Sequence, residues 1–195
     1  AGRVVVKTQS YAETIAGRTI IIATGSEPAM IPAFNIDGNN ILTSTEALDL
    51  KALPKSLLII GGGVMGCEFA AMFSAFGSKV TVVELLPSIL SNEDSIVSRV
   101  VLKRFKEAGV EVLTSVTVDV VEPQEGAVKT RLKDGREFIT EKALVTIGRT
   151  FNTIGIGLEA AGVNVEKSRI AVNEKMETGL RGVYAVGDVT GKLLL

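Results

Sequence analysis

The sequence contains no histidine and a single cysteine, Cys67. Histidine is the commonest general base in enzymes, so acid–base chemistry in this chain would have to use other side chains. One cysteine cannot form a disulfide within the chain, which makes a reducing compartment the default expectation. We therefore predict a cytoplasmic protein that folds without disulfides.

Other absences narrow the class of protein further. The longest apolar runs are short and interrupted by glycine, so no segment is predicted to cross a membrane. The first residues, "AGRVVVKTQS", lack the basic leader and apolar core of a signal peptide. The formal net charge of −1 gives no reason to expect nucleic acid or an anionic membrane as a partner. No metal site is expected.

The composition is that of an ordinary globular protein, with 46% hydrophobic and 22% charged residues among 195. This length suffices for one sizeable domain or two small ones. The chain begins without methionine and ends at "GKLLL", and we expect it to be a fragment of a longer protein.

The first part of the chain is predicted to contribute two strands. The stretches "RVVVKTQ" and "RTIIIATG" are rich in β-branched residues, and we interpret "SYAETIAG" between them as a loop. The irregular stretch "SEPAMIPAFNIDGNN" contains proline and glycine, and it suits a connection between domains.

A short helix and a buried strand are predicted next. The stretch "TSTEALDLKALP" indicates the helix, with Ser44 or Thr45 as its cap. Leu57 to Ile60 is wholly apolar, as expected for a parallel strand buried on both faces. A glycine turn and a helix lead from it to a second strand, Lys79 to Glu84.

A second long helix is predicted from about Ser95, with Asn92 or Asp94 near its cap and Gly109 at its end. Its apolar residues recur at helical spacing.

Strand-like runs follow this helix. Among them, the pair Asp134-Gly135 is flanked by alternating residues and signals a hairpin. The tail is expected to hold turns and one further strand, Val183 to Val186. The predicted fold class is α/β, a Rossmann-like dinucleotide-binding fold with a parallel sheet, helices and an antiparallel β excursion.

A glycine loop joins the buried strand to the helix after it. Gly61, Gly63 and Gly66 satisfy the pattern G-x-G-x-x-G. In such a loop the first glycine allows a tight turn, the second lets the backbone approach a pyrophosphate, and the third lets the helix pack on the sheet. The start of the helix offers unpaired amides and the positive end of its dipole to the phosphates. The loop therefore predicts a nucleotide site.

An acidic residue completes this pattern. Glu84 lies 18 positions after Gly66 and ends the second strand, where a carboxylate can accept hydrogen bonds from ribose hydroxyls. That carboxylate would repel a 2′-phosphate, and the following "LLPSIL" offers no basic residue to receive one. The sequence favours NAD over NADP.

Five ordered motifs resemble those of the flavoprotein disulfide reductases, and the resemblance covers essentially the whole chain. Within that family it is strongest to the members that oxidise dihydrolipoamide with NAD. The motifs are "RTIIIATGS", "LIIGGGVMGCEFA", "VTVVE", "ALVTIGRTFNT" and "GVYAVGDVTG".

The resemblance implies two interleaved nucleotide-binding domains. Residues 1–30 and 150–195 would belong to an FAD-binding domain, and residues 31–149 would form the NAD-binding domain. The positions implied to bind NAD are Gly61, Gly62, Gly63, Val64, Met65, Gly66, Cys67, Glu68, Glu84, Val116 and Gly148. The positions implied to bind FAD are Thr24, Gly25, Ser26 and Asp188.

Cys67 and Glu68, at the start of the helix, are expected to have different roles. In the family, the glutamate at the position of Glu68 pairs with a lysine near the flavin, and we expect this role although the lysine would lie outside this chain. Cys67 lies in an apolar helix, where cysteine usually serves packing. We expect Cys67 to be structural rather than redox-active.

The resemblance also implies what the chain does. The full-length protein would be a homodimer within 2-oxo acid dehydrogenase complexes, oxidising dihydrolipoamide and reducing NAD through FAD and a cysteine pair. Because this chain has neither the pair nor the family's histidine base, we expect it to bind NAD without catalysis. We also expect its FAD-domain pieces to expose apolar strands and to self-associate. The alternatives are another disulfide reductase of the family, an NADH oxidase or peroxidase, and a non-catalytic NADH-binding module.

Overall fold

A computed structural model of the chain describes residues 2–192 and Leu194. The strands are β1 (Gly2–Lys7), β2 (Ala12–Gly17), β3 (Ile20–Ile22), β4 (Ser26–Pro28), β5 (Ile41–Leu42), β6 (Ser56–Ile60), β7 (Lys79–Val83), β8 (Glu111–Leu113), β9 (Val118–Gln124), β10 (Ala127–Leu132), β11 (Glu137–Thr140), β12 (Lys142–Val145), β13 (Arg149–Phe151), β14 (Val165–Glu166), β15 (Arg169–Ile170) and β16 (Val183–Ala185). The α-helices are α1 (Ser44–Leu48), α2 (Val64–Ala75), α3 (Ser95–Glu107) and α4 (Leu158–Ala161).

The chain forms two compact units. The central unit is Pro28–Gly148. The split unit combines the chain up to Glu27 with the chain from Arg149 onward.

The central unit is built on a five-stranded parallel sheet with the order β5-β12-β6-β7-β8. Successive residues of a strand point to opposite faces, so a wholly apolar strand needs cover on both sides. In β6, Leu57 and Ile59 pack with the α2 residues Phe69 and Phe73. Leu58 and Ile60 lie in a second core with residues of β9 and β10. This explains the continuous apolar run and confirms the predicted parallel strand.

The antiparallel excursion covers the second face. It is a three-stranded sheet with the order β11-β10-β9. The predicted hairpin at Asp134-Gly135 joins β10 to β11, and Gly135 has φ +89° there. The predicted fold class, α/β with a parallel sheet and an antiparallel excursion, is confirmed.

The helix boundaries agree with the predicted signals, with one correction. Asp94 caps α3 by accepting the Ile96 amide. Helix α1 is capped by Thr43 in a capping box with Glu46, rather than by Ser44 or Thr45, which lie inside the first turn. Among the described residues, no helix is long and apolar enough to cross a membrane.

The apolar pattern of α3 predicted a helix correctly, but its apolar residues are not all in the core. Phe105 is buried, whereas Ile96, Val97 and Val100 are exposed. Helical spacing thus identified the element without identifying its buried face.

The split unit differs from the sequence prediction in two places. The stretch "SYAETIAG", interpreted as a loop, contains β2, which pairs antiparallel with β1 over six residue pairs. Its side chains are mostly exposed, so it lacks the apolar alternation by which strands are recognised. The tail from Gly155 onward, expected to hold one strand, contains β14, β15 and β16, and the short strand β13 precedes it. All four strands have only two or three residues and pair in small two-stranded sheets, too short for a periodic signal.

Candidate functional site

The glycine loop lies at the centre of the parallel sheet. Strand β6 is flanked by β7 on one side and β12 on the other. Because the chain leaves β6 toward β7 and reaches β12 only later, the crevice between β6 and β12 is a topological switch point, where α/β sheets bind ligands. Gly61 follows β6 directly and donates its amide to the Val83 carbonyl, 2.8 Å away.

Two glycines of the loop have different steric requirements. A Cβ at Gly66 would collide with the Gly61 carbonyl oxygen, so the close approach of α2 to the loop requires glycine. A Cβ at Gly63 would meet no atom within 4 Å. Gly63 is therefore not needed for packing, and the space beside it is open to a ligand.

Helix α2 presents its amino terminus to this space. It begins at Val64 after Gly63, with no side-chain cap. The first intrahelical amide bond is donated by Cys67 to the Gly63 carbonyl at 2.9 Å. The amides of Val64, Met65 and Gly66 precede it and have no acceptor within the helix. Unpaired amides and the positive helix dipole together favour an anion here.

Glu84 contacts the glycine loop directly. Its carboxylate Oε2 accepts the Gly62 amide at 2.5 Å, and Oε1 accepts the Leu86 amide at 2.7 Å. The residue is only 9% exposed. No Lys or Arg within residues 2–192 forms an ion pair with it. Glu84 is thus a buried carboxylate held by backbone amides rather than a solvated strand end.

The segment after Glu84 closes over the loop. The Leu90 amide donates to the Gly62 carbonyl at 2.8 Å, and Leu90 has φ +50°. Leu85 and Leu86 are exposed. The first basic residue after Glu84 is Arg99.

The structure brings Val116 to this end of the sheet. Its amide donates to the Glu84 backbone carbonyl at 3.1 Å. Gly148 lies three residues after the last residue of β12 and is exposed. Sequence reasoning missed Thr146, whose hydroxyl donates to the carbonyls of Ile60 and Gly61 at 3.1 and 3.0 Å. Thr146 is the first residue after β12, and nothing in its immediate sequence distinguishes it.

Cys67 and Glu68 are neighbours with opposite surroundings. The Cys67 thiol is buried and donates to the Gly62 carbonyl, with the sulfur 3.4 Å from the oxygen. Burial, followed by the charges of Glu84 and Glu68, raises the pKa of this thiol to about 11. A thiol with this pKa is protonated at neutral pH, which fits a packing role. Glu68 is exposed and has no ion pair among the described residues.

A second polar cluster lies in the split unit. The Ser26 hydroxyl donates to Asp188 Oδ2 at 2.6 Å, although the two residues are 162 positions apart. Strands β3 and β16 are parallel neighbours, so the turns that follow them meet at one edge. Of the sequence-predicted residues, Thr24 and Gly25 lie in the turn after β3 and bond to Asn152.

Arg149 is the residue of this cluster that sequence reasoning missed. Its Nε donates to the Ser26 hydroxyl at 2.5 Å and lies 3.4 Å from Asp188 Oδ2. Its Nη2 donates to the Ser26 carbonyl at 2.8 Å. An arginine fork can bind several acceptors at fixed angles, so Arg149 orients both Ser26 and Asp188.

Comparison with known proteins identifies the family. The family model described as pyridine nucleotide-disulphide oxidoreductase matches residues 1–195. Dihydrolipoyl dehydrogenase of Chlamydia pneumoniae is 44% identical over 177 residues, covering 90% of this chain and 38% of that protein. A dihydrolipoyl dehydrogenase of Bacillus subtilis is 41% identical over 183 residues, covering 91% of this chain and 39% of that protein. The chain therefore spans about two fifths of the length of these relatives.

Solved structures agree with this similarity. The Cu(II) complex of the HOCl-induced flavoprotein disulfide reductase RclA from Escherichia coli has a TM-score of 0.89 and 30% identity, covering 99% of this chain and 44% of that one. LpdA from Mycobacterium tuberculosis has a TM-score of 0.87 and 34% identity, covering 95% of this chain and 40% of that one. The match extends over both units of the fold.

Proposed function

Because the chain belongs to the pyridine nucleotide-disulphide oxidoreductase family, we propose that it is the NAD(H)-binding part of a dihydrolipoamide dehydrogenase. The relatives named dihydrolipoyl dehydrogenase, at 44% and 41% identity, support this substrate class. The central unit would be the NAD-binding domain, and the split unit would be part of the FAD-binding domain. This assignment follows the resemblance and the division of the chain at Glu27 and Gly148.

The observation that carries the proposal is the meeting of the glycine loop with Glu84. The open space beside Gly63 faces the unpaired amides at the start of α2, which suits a pyrophosphate. A carboxylate has about four acceptor directions, and two amides use two of those at Glu84. The remaining directions are available to the hydroxyls of an adenosine ribose. Val116 and Gly148 would line the same nucleotide.

The charges favour NAD over NADP. A 2′-phosphate at the ribose would approach the Glu84 carboxylate, and like charges at that distance repel strongly in a partly buried site. No lysine or arginine occurs between Glu84 and Arg99 to compensate.

The split unit is proposed to contact the flavin. Asp188 would accept a hydroxyl of the FAD sugar chain, with Thr24, Gly25 and Ser26 beside it. Arg149 would orient the Asp188 carboxylate by the contacts that it makes to Ser26 and Asp188. Glu68 would pair with a lysine supplied from outside this chain.

The chain is proposed to bind coenzyme without turning it over. When bound, NAD supplies a hydride acceptor and FAD relays electrons to it. The residues of this chain position the nucleotides, but one cysteine and no histidine provide neither a redox pair nor the family's base. The complete protein would be a cytoplasmic homodimer in 2-oxo acid dehydrogenase complexes, catalysing NAD reduction by dihydrolipoamide.

NMR spectroscopy tests the binding site. Adding NADH to the 15N-labelled chain should shift the amide signals of Val64, Met65 and Val116 in a saturable way. Amides of the β9–β10 hairpin, such as that of Gly126, serve as the internal control and should not move. Saturable shifts confined to other regions would contradict the proposed site, and NAD reduction by the chain with dihydrolipoamide would contradict the proposed lack of catalysis.

A further inference from the structure

The carboxylate of Glu84 connects two loops of the central unit. Through Oε2 it accepts the amide of Gly62 in the glycine loop. Through Oε1 it accepts the amide of Leu86 in the segment after β7. The two loops are therefore tied to one charged group, which is itself nearly buried.

The backbone on both sides of Glu84 is also fixed. Its amide donates to the Leu113 carbonyl at 2.8 Å, and its carbonyl accepts the Val116 amide at 3.1 Å. The side chain consequently projects from a rigid position at the end of the sheet. The backbone that carries the carboxylate is thus held by bonds to residues outside the glycine loop.

Gly62 depends on this carboxylate to satisfy its amide. Its carbonyl accepts the Leu90 amide at 2.8 Å and the Cys67 thiol at 3.4 Å. Gly62 is buried, so an amide without the carboxylate would be shielded from water. A buried unpaired donor is costly, and the loop would rearrange to avoid it.

We propose that Glu84 is a positioning residue for the glycine loop. Its carboxylate holds the loop in the conformation that receives a pyrophosphate, whether or not a ribose is bound. The inference rests on the proposed function, because it concerns the same coenzyme site. It adds that ribose recognition and loop geometry depend on one carboxylate.

This dual role has a consequence for coenzyme specificity. Replacing Glu84 by a neutral residue removes the repulsion toward a 2′-phosphate, but it also removes the acceptor of two amides. A glutamine offers one carbonyl oxygen as acceptor. Its amide NH2 group, which is a donor, would face the other backbone amide, which is also a donor. Such a substitution should therefore weaken binding of NADH and NADPH together instead of exchanging one for the other.

Hydrogen exchange in the ligand-free chain tests the positioning role directly. In Glu84→Gln at least one of the amides of Gly62 and Leu86 should exchange about tenfold faster or more, because glutamine keeps only one acceptor oxygen for the two. Amides of the central strand β6 should be unchanged. Glu93→Gln is the matched control, because Glu93 is exposed and its side chain has no hydrogen bond or ion pair among the described residues. Unchanged exchange at both Gly62 and Leu86 in the Glu84 variant would overturn the proposal.

A measurement on the wild-type chain covers the case in which Glu84→Gln does not fold. NMR can detect coupling through a hydrogen bond between the Gly62 amide nitrogen and the Glu84 carboxyl carbon. The proposal predicts this coupling in the absence of nucleotide. Its absence, with the remaining loop signals assigned, would count against the contact.

Measuring how tightly the wild type and Glu84→Gln bind a modified dinucleotide distinguishes the positioning role from ribose recognition. The probe is an NADH analogue whose adenosine ribose lacks both hydroxyls. Glu84→Gln should weaken binding of this analogue by about tenfold, because a displaced loop affects every dinucleotide. If Glu84 served the ribose alone, the variant and the wild type would bind the analogue equally, and the proposal would fail. Failure of wild type to bind NADH would reject the proposed function, while hydrogen exchange would still decide the positioning role.

Discussion

At Gly63 the backbone leaves space that the fold itself does not use. Its φ of −70° and ψ of −173° are accessible to any residue, and no atom lies within 4 Å of an added Cβ. We expect Gly63→Val to change the free energy of unfolding by no more than about 1 kcal/mol, the scale of helix-cap effects. The same variant should lose measurable NADH binding, because the side chain fills the approach to the α2 amides. Urea denaturation measures the free energy of unfolding, and calorimetry measures NADH binding. Undiminished NADH binding by the variant would refute the proposed position of the pyrophosphate.

Thr130 has the one buried side-chain polar atom without a hydrogen-bond partner among the described residues. It is 0% exposed and lies in β10 between β9 and β11. We expect Thr130→Val to raise the free energy of unfolding by about 1 kcal/mol, because the hydroxyl is desolvated without compensation.

Thr140→Val is the matched control for Thr130→Val. Thr140 is also buried, but its hydroxyl donates to the Lys142 carbonyl at 2.9 Å. The same substitution at Thr140 should therefore lower the free energy of unfolding. Chemical denaturation of both variants compares them, and equal effects at the two sites would contradict the structure.

Cys67 makes stability depend on pH above neutrality. Its pKa is about 11 in the folded chain, against an ordinary value of 9.0. Below pH 9 the thiol is protonated in both states and contributes no pH dependence. Between pH 9 and 11 only the unfolded chain loses the proton, so stability falls by up to about 2 to 3 kcal/mol. Urea denaturation at pH 8 and pH 10.5 should show a larger loss in wild type than in Cys67→Ala. An equal loss in both proteins would mean that the thiol titrates normally.

At the residue scale the sequence predicted which residue types gather at the proposed coenzyme site but not the bonds that organise them. The positions of Gly63 and Glu84 followed from a spaced pattern. The bond from Gly62 to Glu84 depends on the parallel pairing of β6 with β7, which places the two loops side by side. Arg149 could not be identified because its partners, Ser26 and Asp188, lie far away in the sequence.

Elements with a strong apolar pattern were predictable, and elements without one were not. Strand β6 and helix α3 have continuous or periodic apolar residues and lie where expected. Strand β2 was missed because its side chains are exposed and its stability comes from pairing with β1. The β1–β2 hairpin exposes the apolar side chains of Val4, Val5, Val6 and Ile15.

The exposed hairpin supports the expectation of self-association. Val4 and Ile15 face each other across β1 and β2, and both are exposed. We expect sedimentation analysis to show concentration-dependent association of the chain, reduced in the Val4→Thr/Ile15→Thr variant. Threonine keeps the β-branched shape while removing apolar surface.

Ile154→Thr is the control for this experiment, since Ile154 is highly exposed but lies outside the hairpin. It should leave the association unchanged. A wild-type chain that stays monomeric at high concentration would contradict the prediction.

At the scale of the whole molecule, two units arise from three segments of chain. The resemblance implied this interleaving, because the segments that resemble FAD-domain motifs lie on either side of the glycine loop. Length alone suggested one sizeable domain or two small ones. The match of the family model over residues 1–195 shows that both units belong to one family fold.

The most direct test of the account is calorimetric titration of the folded chain with NADH and, separately, with NADPH. The account predicts one NADH site per chain and binding of NADPH at least about tenfold weaker, the cost of placing a 2′-phosphate against the Glu84 carboxylate. No heat with NADH, or tighter binding of NADPH, would contradict it.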